Sequence, residues 1–465
     1  MTETLDIERL LPHAVPPPRP APDARRLARE QLRRAGSKLV VLDDDPTGTQ
    51  TVHDVPVYLD WSASSLAEAL REEADVVYIS TNSRGLEREE AVELGLLLGR
   101  RLRAAEDETG ARAVLASRSD STLRGHFPAE VDALVEGYRR PVDGVILCPA
   151  FFEGGRYTAD DVHYVLQAST LVPAAETEFA RDPVFGYSHS NLREWVAEKV
   201  GGLRADDVQS VSLDLLRAAG SEAVQELLLR VIAGRVVVVN ALCYDDLDQF
   251  VLSLVRAEEQ GKRFVYRCAA GLVKARGGID DRPLLTRQEL TPAPGPGLVV
   301  IGSWVERTTS QLACLLDEQQ VVAVELDAGA CAAGEEGVEK RAADAATAAL
   351  RAGKTAAIYT SRQPVSPKAE SFAAVGRRIM AALCETAARV AFEPSFVIAK
   401  GGITSIEIAR RALGARRAQV LGQIAPGVPV WRLGAEARWA HLPYIVFPGN
   451  VGTVETLREV MRTLS

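Results

Sequence analysis

Lys38-Leu39-Val40-Val41-Leu42 runs directly into Asp43-Asp44-Asp45-Pro46-Thr47-Gly48-Thr49-Gln50. A short apolar run without polar alternation is the pattern of a strand buried on both faces, as in a parallel sheet. The three carboxylates behind it repel one another unless cations or hydroxyls meet them. Ligands of parallel α/β sheets bind outside the carboxyl ends of the strands. A carboxylate there can accept a hydroxyl proton, act as a base or ligate Mg2+. Taken alone, the run is equally what an acidic turn with an Asp cap would show.

The segments on either side repeat the alternation. Val55–Leu59, Val76–Ser80, Ala113–Ser117 and Gly144–Cys148 read as strands, with Leu66–Glu73, Glu87–Ala105 and Ala129–Tyr138 as the helices between them. Further strands are expected at Arg235–Asn240 and near Phe264–Cys268. Strand–helix alternation implies right-handed crossovers and a mainly parallel sheet covered on both sides. Leu290-Thr291-Pro292-Ala293-Pro294-Gly295-Pro296-Gly297 then reads as a linker. Beyond it the alternation restarts, with strands at Leu298–Gly302, Val321–Leu326, Ala356–Thr360, Phe396–Ala399 and Tyr444–Phe447, and helices at Arg307–Leu316, Glu335–Ala352, Ala369–Val390, Ser405–Leu413 and Thr453–Thr463. The expected fold is therefore α/β: two three-layer domains with mainly parallel sheets, over 37–290 and 297–465, facing across an interdomain cleft. They follow a Pro-rich, basic extension over 1–36, in which Asp23 is placed to cap a helix running to about Arg34. Its arginines (Arg25, Arg26, Arg29, Arg33, Arg34) suit a solvated or partner-facing surface.

Composition narrows the function. A net charge of -9 over 465 residues argues against a general nucleic-acid binder, which needs a basic face, and leaves a small anionic ligand open. The six cysteines are scattered without a C-x-x-C pair, so they read as reduced thiols of a cytoplasmic protein rather than zinc ligands or disulfides. His126, His163 and His189 lack metal-pair spacing and suit hydrogen bonding or the surface. No signal peptide or apolar run of membrane-spanning length is present. A homo-oligomer is compatible with these features.

Other strand ends add to the acidic run. Val76–Ser80 leads into Thr81-Asn82-Ser83-Arg84-Gly85. Ala113–Ser117 leads into Arg118-Ser119-Asp120-Ser121-Thr122-Leu123-Arg124-Gly125-His126. Gly144–Cys148 leads toward Phe151–Gly155 and Arg156. On a parallel sheet these loops share one edge and offer Asp44, Arg84, Arg118, Asp120, Arg124 and Arg156, with several hydroxyls; Tyr157, Asp160 and Asp161 are placed to shape its mouth. Arginine forks suit a carboxylate or phosphate, and Asp and Ser suit sugar hydroxyls. A small, polyhydroxylated anion fits. In the second domain, Gly302-Ser303-Trp304, Lys400-Gly401-Gly402-Ile403-Thr404-Ser405 and Pro448-Gly449-Asn450-Val451-Gly452-Thr453 each follow a strand and open a helix. Small residues let backbone N–H groups approach an anion, which suggests a nucleotide triphosphate cradle with Lys400 as a charge partner. Gly353-Lys354-Thr355 is not a P-loop, because Ala348 stands where its first Gly belongs, and no G-x-G-x-x-G follows the first strand.

These motifs, in this order, resemble the four-carbon acid sugar kinase family from about Lys38 to Ser465. The resemblance rests on Asp43–Gly48, Thr81–Arg84, Ser119–Gly125, Gly401–Thr404 and Gly449–Gly452. It implies ATP-dependent phosphorylation of the terminal hydroxyl of threonate, erythronate or a 3-oxo-tetronate, with Mg2+ arriving on the nucleotide. It places substrate on Asp44, Arg84, Arg118, Ser119, Asp120 and Ser121, and ATP on Ser303, Gly401, Gly402, Ile403, Thr404, Gly449, Asn450 and Gly452. Members often carry Lys-Ile-Asp-Ser where this chain has Arg118-Ser119-Asp120-Ser121, and an acidic residue at Ile403, which marks a divergent branch. The expected mechanism closes the domains, with Asp44 or Asp120 orienting or deprotonating the hydroxyl and Arg118, Arg124 or Lys400 stabilising charge. Another phosphosugar enzyme, or a non-catalytic sensor of sugar acid and nucleotide, would use the same loops.

Overall fold

The computed structural model describes residues 7–11, 14–45, 47–290, 294–362 and 372–465. Pro46 of the acidic run and Thr291, Pro292 and Ala293 of the expected linker lie outside the described residues. The first strands along the chain are β1 (Ser37–Asp43), β2 (Val55–Tyr58), β3 (Val76–Ser80), β4 (Arg112–Arg118) and β5 (Gly144–Cys148). A small antiparallel meander follows, with β6 (Arg156–Ala159), β7 (Val162–Gln167) and β8 (Thr170–Pro173). Then come β9 (Gln209–Val211), β10 (Arg235–Val239) and β11 (Phe264–Cys268).

The chain forms two compact units, Met1–Thr51 with Asp60–Asp281, and Val52–Leu59 with Arg282–Ser465. The sheet of the first unit runs β3-β1-β4-β11-β5-β10-β9, and each neighbouring pair is parallel. Leu39, Val40 and Val41 are fully buried, as an apolar run covered on both faces requires. Because all seven strands point the same way, Asp43, Ser80, Arg118, Cys148 and Cys268 end on one edge.

The basic N-terminal helix, Ala24–Arg34, is built into this unit through Ala24, Ala28, Gln31 and Leu32. Its arginines pair with neighbouring carboxylates, while the side chains of Arg26, Arg33 and Arg34 stay more than half exposed. Arg25 pairs with Asp248, Arg29 with Asp280, Arg33 with Asp75 and Arg34 with Glu259. Asp23 precedes the helix without a side-chain cap; its carboxylate takes Arg26 instead.

In the second unit, β12 (Leu298–Ile301), β13 (Val321–Leu326), β14 (Thr355–Thr360), β15 (Val397–Lys400), β16 (Arg417–Ala425), β17 (Val428–Leu433) and β18 (Pro443–Phe447) join β2 in the order β13-β14-β12-β15-β18-β17-β16-β2. The run from β13 to β18 is parallel, and the remaining strands are antiparallel. Two features depart from the expectation. Val55–Tyr58 pairs with β16 and belongs to the second unit, not the first. The β16–β17 hairpin, absent from the sequence reading, is interrupted by register shifts around Gly422 and Gln423, which break the alternation that would announce it. The expected helix Glu335–Ala352 is observed as Val338–Arg351, and a separate short helix, Ala328–Ala333, precedes it, the two being set apart by Gly334 and Gly337 in left-handed conformations.

Candidate functional site

The strand-end loops of the first unit meet around the acidic run. The backbone N–H of Asp44 donates to the Arg118 carbonyl at 3.1 Å, and those of Thr81 and Ser119 donate to the Asp43 and Cys268 carbonyls at 2.9 and 2.8 Å. Ladder hydrogen bonds thus continue past the strand ends and hold four loops together. Gly48 packs so closely on Asp43 that a Cβ there would overlap the carboxylate.

The three aspartates have different partners. Asp43 is buried and accepts from Arg118 Nη1 at 3.1 Å; burial pushes its carboxyl up to about 7, against the pull of Arg118. Asp45 accepts from the backbone and hydroxyl of Thr47 at 2.8 and 2.6 Å, and pairs with Arg84 Nη2. Asp44 is 1% exposed, and neither of its oxygens accepts a hydrogen bond among the described residues. Its nearest cations, Arg118 Nη1 and Arg84 Nη1, stand 3.8 and 3.9 Å away. A buried carboxylate with unmet acceptors is costly, and such groups are characteristic of sites that receive a donor from a ligand.

Asp120 faces Arg84 Nη1 at 3.3 Å and accepts from Arg124 Nε at 2.8 Å and from the Thr122 hydroxyl. Burial works to raise its carboxyl, but Arg84 and Arg124 outweigh it and hold Asp120 well below the usual carboxylate range. It is therefore a poor proton acceptor and a good anchor for the arginines. Arg124 also lies over the Phe179 ring, with Arg156 at 5.6 Å from the same ring. Ser119 and Ser121 are buried in the loop, and the Ser121 carbonyl accepts from His163 Nε2 at 2.7 Å. Burial lowers His163 to about 4, so it stays neutral and accepts from Thr158 at Nδ1; its role is support. His126 likewise meets the Leu86 carbonyl, and His189 pairs with Glu198. Asp161 is taken up by Ser210 and Asn240, and Tyr157 stacks on Phe152, so neither is placed as a ligand group.

Two residues of this site escaped sequence reasoning. Arg267, near the end of β11, is 3% exposed and its Nη1 has no hydrogen bond among the described residues. Glu130 accepts from Ser83 at 2.5 Å, and burial together with Asp44 raises its carboxyl. A lone arginine in the otherwise apolar Phe264-Val265-Tyr266-Arg267-Cys268 was the available signal.

In the second unit, the ends of the adjacent strands β12, β15 and β18 bring the glycine turns together. Gly401 has φ +118°, a region open in practice to glycine alone, and a Cβ there would sit 3.0 Å from both Ser303 Cβ and Thr404 Oγ1. A Cβ at Gly449 would come 3.1 Å from Ser303 Oγ. Thr308 donates to Ser303 Oγ at 3.0 Å and approaches the Gly449 carbonyl at 3.2 Å. Gln311 holds the Val451 and Thr453 carbonyls, while Arg307 holds that of Gly452. Ser303, Gly401, Gly402, Thr404, Gly449 and Gly452 thus belong to one cradle. Asn450 lies in the same turn, and Ile403 and Trp304 expose apolar surface beside it. Lys400 is fully buried, with Nζ donating to the Pro448 and Gly449 carbonyls at 2.6 and 3.1 Å; burial lowers it to about 7. A methyl at position 401 fills this cradle. Gly401→Ala therefore costs about 1–3 kcal/mol of stability, from the strain at that backbone conformation. Urea unfolding of the variant beside wild type checks this.

Among the described residues no group of three or more His, Cys, Asp or Glu is arranged to hold a metal ion, and no helix is long and apolar enough to cross a membrane. All six cysteines are free thiols.

Comparison with known proteins agrees with this division of labour. Residues 39–276 match a family model described as a sugar-binding N-terminal domain, and residues 298–457 match a nucleotide-binding C-terminal domain. A 3-oxo-tetronate kinase of Cupriavidus necator is 30% identical over 413 residues, covering 84% of this chain and 87% of that protein. A D-threonate kinase of Salmonella typhimurium is 27% identical over 458 residues, covering 91% and 97%. A solved Haemophilus influenzae protein shares the fold with a TM-score of 0.63 at 20% identity, over 92% of this chain and 100% of its own.

Proposed function

The chain belongs to the four-carbon acid sugar kinase family, and from that premise we propose that it transfers the γ-phosphoryl group of ATP to the terminal hydroxyl of a tetronate or 3-oxo-tetronate. The observation that carries this reading is the carboxylate of Asp44, which accepts no hydrogen bond among the described residues and is buried among Arg84, Arg118 and Arg267. A hydroxyl donor satisfies Asp44, and the arginines suit the negative charge of a sugar acid. Asp44 orients the hydroxyl and takes its proton as the oxygen bonds to Pγ. The bond from Pγ to the β–γ bridging oxygen breaks, and ADP leaves. Such a transfer depends mainly on alignment and charge stabilisation.

The glycine cradle of the second unit supports the nucleotide half. Its backbone can approach phosphate oxygens because no Cβ intervenes at Gly401 or Gly449. Exposed Trp304 and Ile403 offer apolar surface to a base. Magnesium would arrive on the nucleotide and would neutralise phosphate charge there. Titration calorimetry with a non-hydrolysable ATP analogue and Mg2+ tests this half, and absence of binding would sink it.

Lys400 adds a protonation signature. Because burial lowers its ammonium to about 7, it is largely neutral at pH 8. A bound polyphosphate favours the charged form and draws the value upward, so nucleotide binding takes up protons near pH 8. Uptake fades below about pH 6, where Lys400 is already charged in the free protein. Calorimetry in buffers of different ionisation enthalpy measures it, and Lys400→Met abolishes this component.

A further inference from the structure

Arg267 has no role in the reading above beyond its charge, and its position calls for one. It lies on β11 opposite Ser117 of β4 and Leu147 of β5, within the parallel sheet. A guanidinium in a buried strand is expensive to desolvate and stays charged, so its donors need acceptors. Nη2 donates to the Arg124 carbonyl at 3.2 Å, whereas Nη1 meets nothing among the described residues. Burial lowers its affinity for its proton, and the charges opposing that shift are Asp44, Glu130 and Asp120. Glu130 is engaged by Ser83, and Asp120 by Arg84 and Arg124.

Asp44 and Arg267 are thus two buried groups of opposite charge, each with hydrogen bonds unmet among the described residues, that do not bond to each other. Gly125 stands between them. The position a Cβ would take there is 3.0 Å from Arg267 Nη2 and 3.5 Å from Asp44 Oδ2, and the backbone, at φ +120°, favours glycine. A ligand that satisfies both needs an anionic oxygen for Nη1 and a hydroxyl for Asp44. Arg84 and Arg118 each pair with an aspartate of the acidic run, whereas Arg267 has no ion pair among the described residues; Arg118 Nε, like Arg267 Nη1, is left without an acceptor there.

We propose that Arg267 is a substrate-binding residue that reads the carboxylate of the sugar acid and thereby selects acids over neutral polyols, while Asp44 accepts from a hydroxyl of the same molecule. The inference rests on the kinase reading for the identity of the ligand. It extends that reading to a residue outside the strand-end loops.

Titration calorimetry of the full chain with threonate and with the neutral tetritol threitol tests it. Wild type binds threonate in preference to threitol. Arg267→Gln binds threonate about 10–100-fold more weakly, the worth of a charge-assisted hydrogen bond, with threitol unaffected. A folded Arg267→Gln with wild-type affinity for threonate overturns the proposal. Where the glutamine variant does not fold, Arg267→Lys replaces it: loss of the fork lowers threonate affinity, and an affinity within about twofold of wild type overturns the proposal. ADP release measured alongside separates the two claims. Arg267-dependent threonate binding without ADP release removes the kinase reading and leaves Arg267 in place. ADP release with threonate binding indifferent to Arg267 does the reverse, and a wild type that binds no four-carbon acid removes both.

Discussion

Asp44→Asn lowers turnover by about 10²-fold or more, the usual worth of a positioned general base. The substitution keeps the size of the side chain and removes its charge and basicity. Asp44 is the buried carboxylate of the acidic run whose two oxygens accept no hydrogen bond among the described residues, whereas Asp43 is tied to Arg118 and Asp45 to Thr47 and Arg84. An amide there also turns one acceptor into a donor, facing Arg118 and Arg84. The loss therefore falls on kcat as well as on sugar-acid binding, and nucleotide binding to the second unit is untouched. Single-turnover kinetics with saturating acid, next to calorimetry with the ATP analogue, separates the two. Asp120→Asn acts differently. Its carboxylate organises Arg84 and Arg124, so its removal raises the KM for the acid through misplaced arginines.

Arg118→Met destabilises the first unit by about 3–5 kcal/mol, the cost of breaking a buried ion pair by removing one partner. Arg118 is 5% exposed, bonds Asp43 at 3.1 Å and lies 3.8 Å from Asp44. Without it, two adjacent buried carboxylates face each other with Arg84 as the remaining neighbour on the loop side. The effect depends on pH, and its sign follows from Asp43. Its folded-state value, already raised to about 7 by burial, rises further once the guanidinium is gone. The folded protein then holds a proton that the unfolded chain releases above about pH 4, so the variant is least impaired in acid and loses stability as pH rises through neutrality. Urea unfolding followed from pH 5 to 8 measures this. The double variant with Asp43→Asn recovers part of the loss, because the neutral amide no longer needs the cation.

Much of this site is legible in the sequence because its elements are local. A continuous apolar run ending in charge marks a buried strand with a functional edge, and parallel topology then gathers Asp44, Arg84, Arg118, Asp120 and Arg124 without knowledge of any contact. Glycine turns after strands locate Ser303, Gly401 and Gly449 by the same logic. What stays hidden depends on pairing across distance. Four residues such as Val55–Tyr58 read as a strand whichever sheet receives them, and only β16 reveals their unit. The arginines of Ala24–Arg34 do present an outward face at Arg26, Arg33 and Arg34, but their pairing with Asp75, Asp248, Glu259 and Asp280 depends on residues far along the chain. Arg267 is masked by its own strand, since a single charge in an apolar run signals nothing until its neighbours are known. The direction of the Lys400 ammonium, toward the Pro448 and Gly449 carbonyls, is likewise a fact of packing.

The central claim is phosphoryl transfer from ATP to a four-carbon sugar acid, and ADP release from purified full-length protein tests it most directly. With Mg-ATP present, ADP appears when threonate, erythronate or a 3-oxo-tetronate is added, in proportion to the acid consumed and with phosphate on its terminal oxygen. ADP release no faster than the ATP-only blank with every one of these acids, from protein shown to be folded, would contradict it.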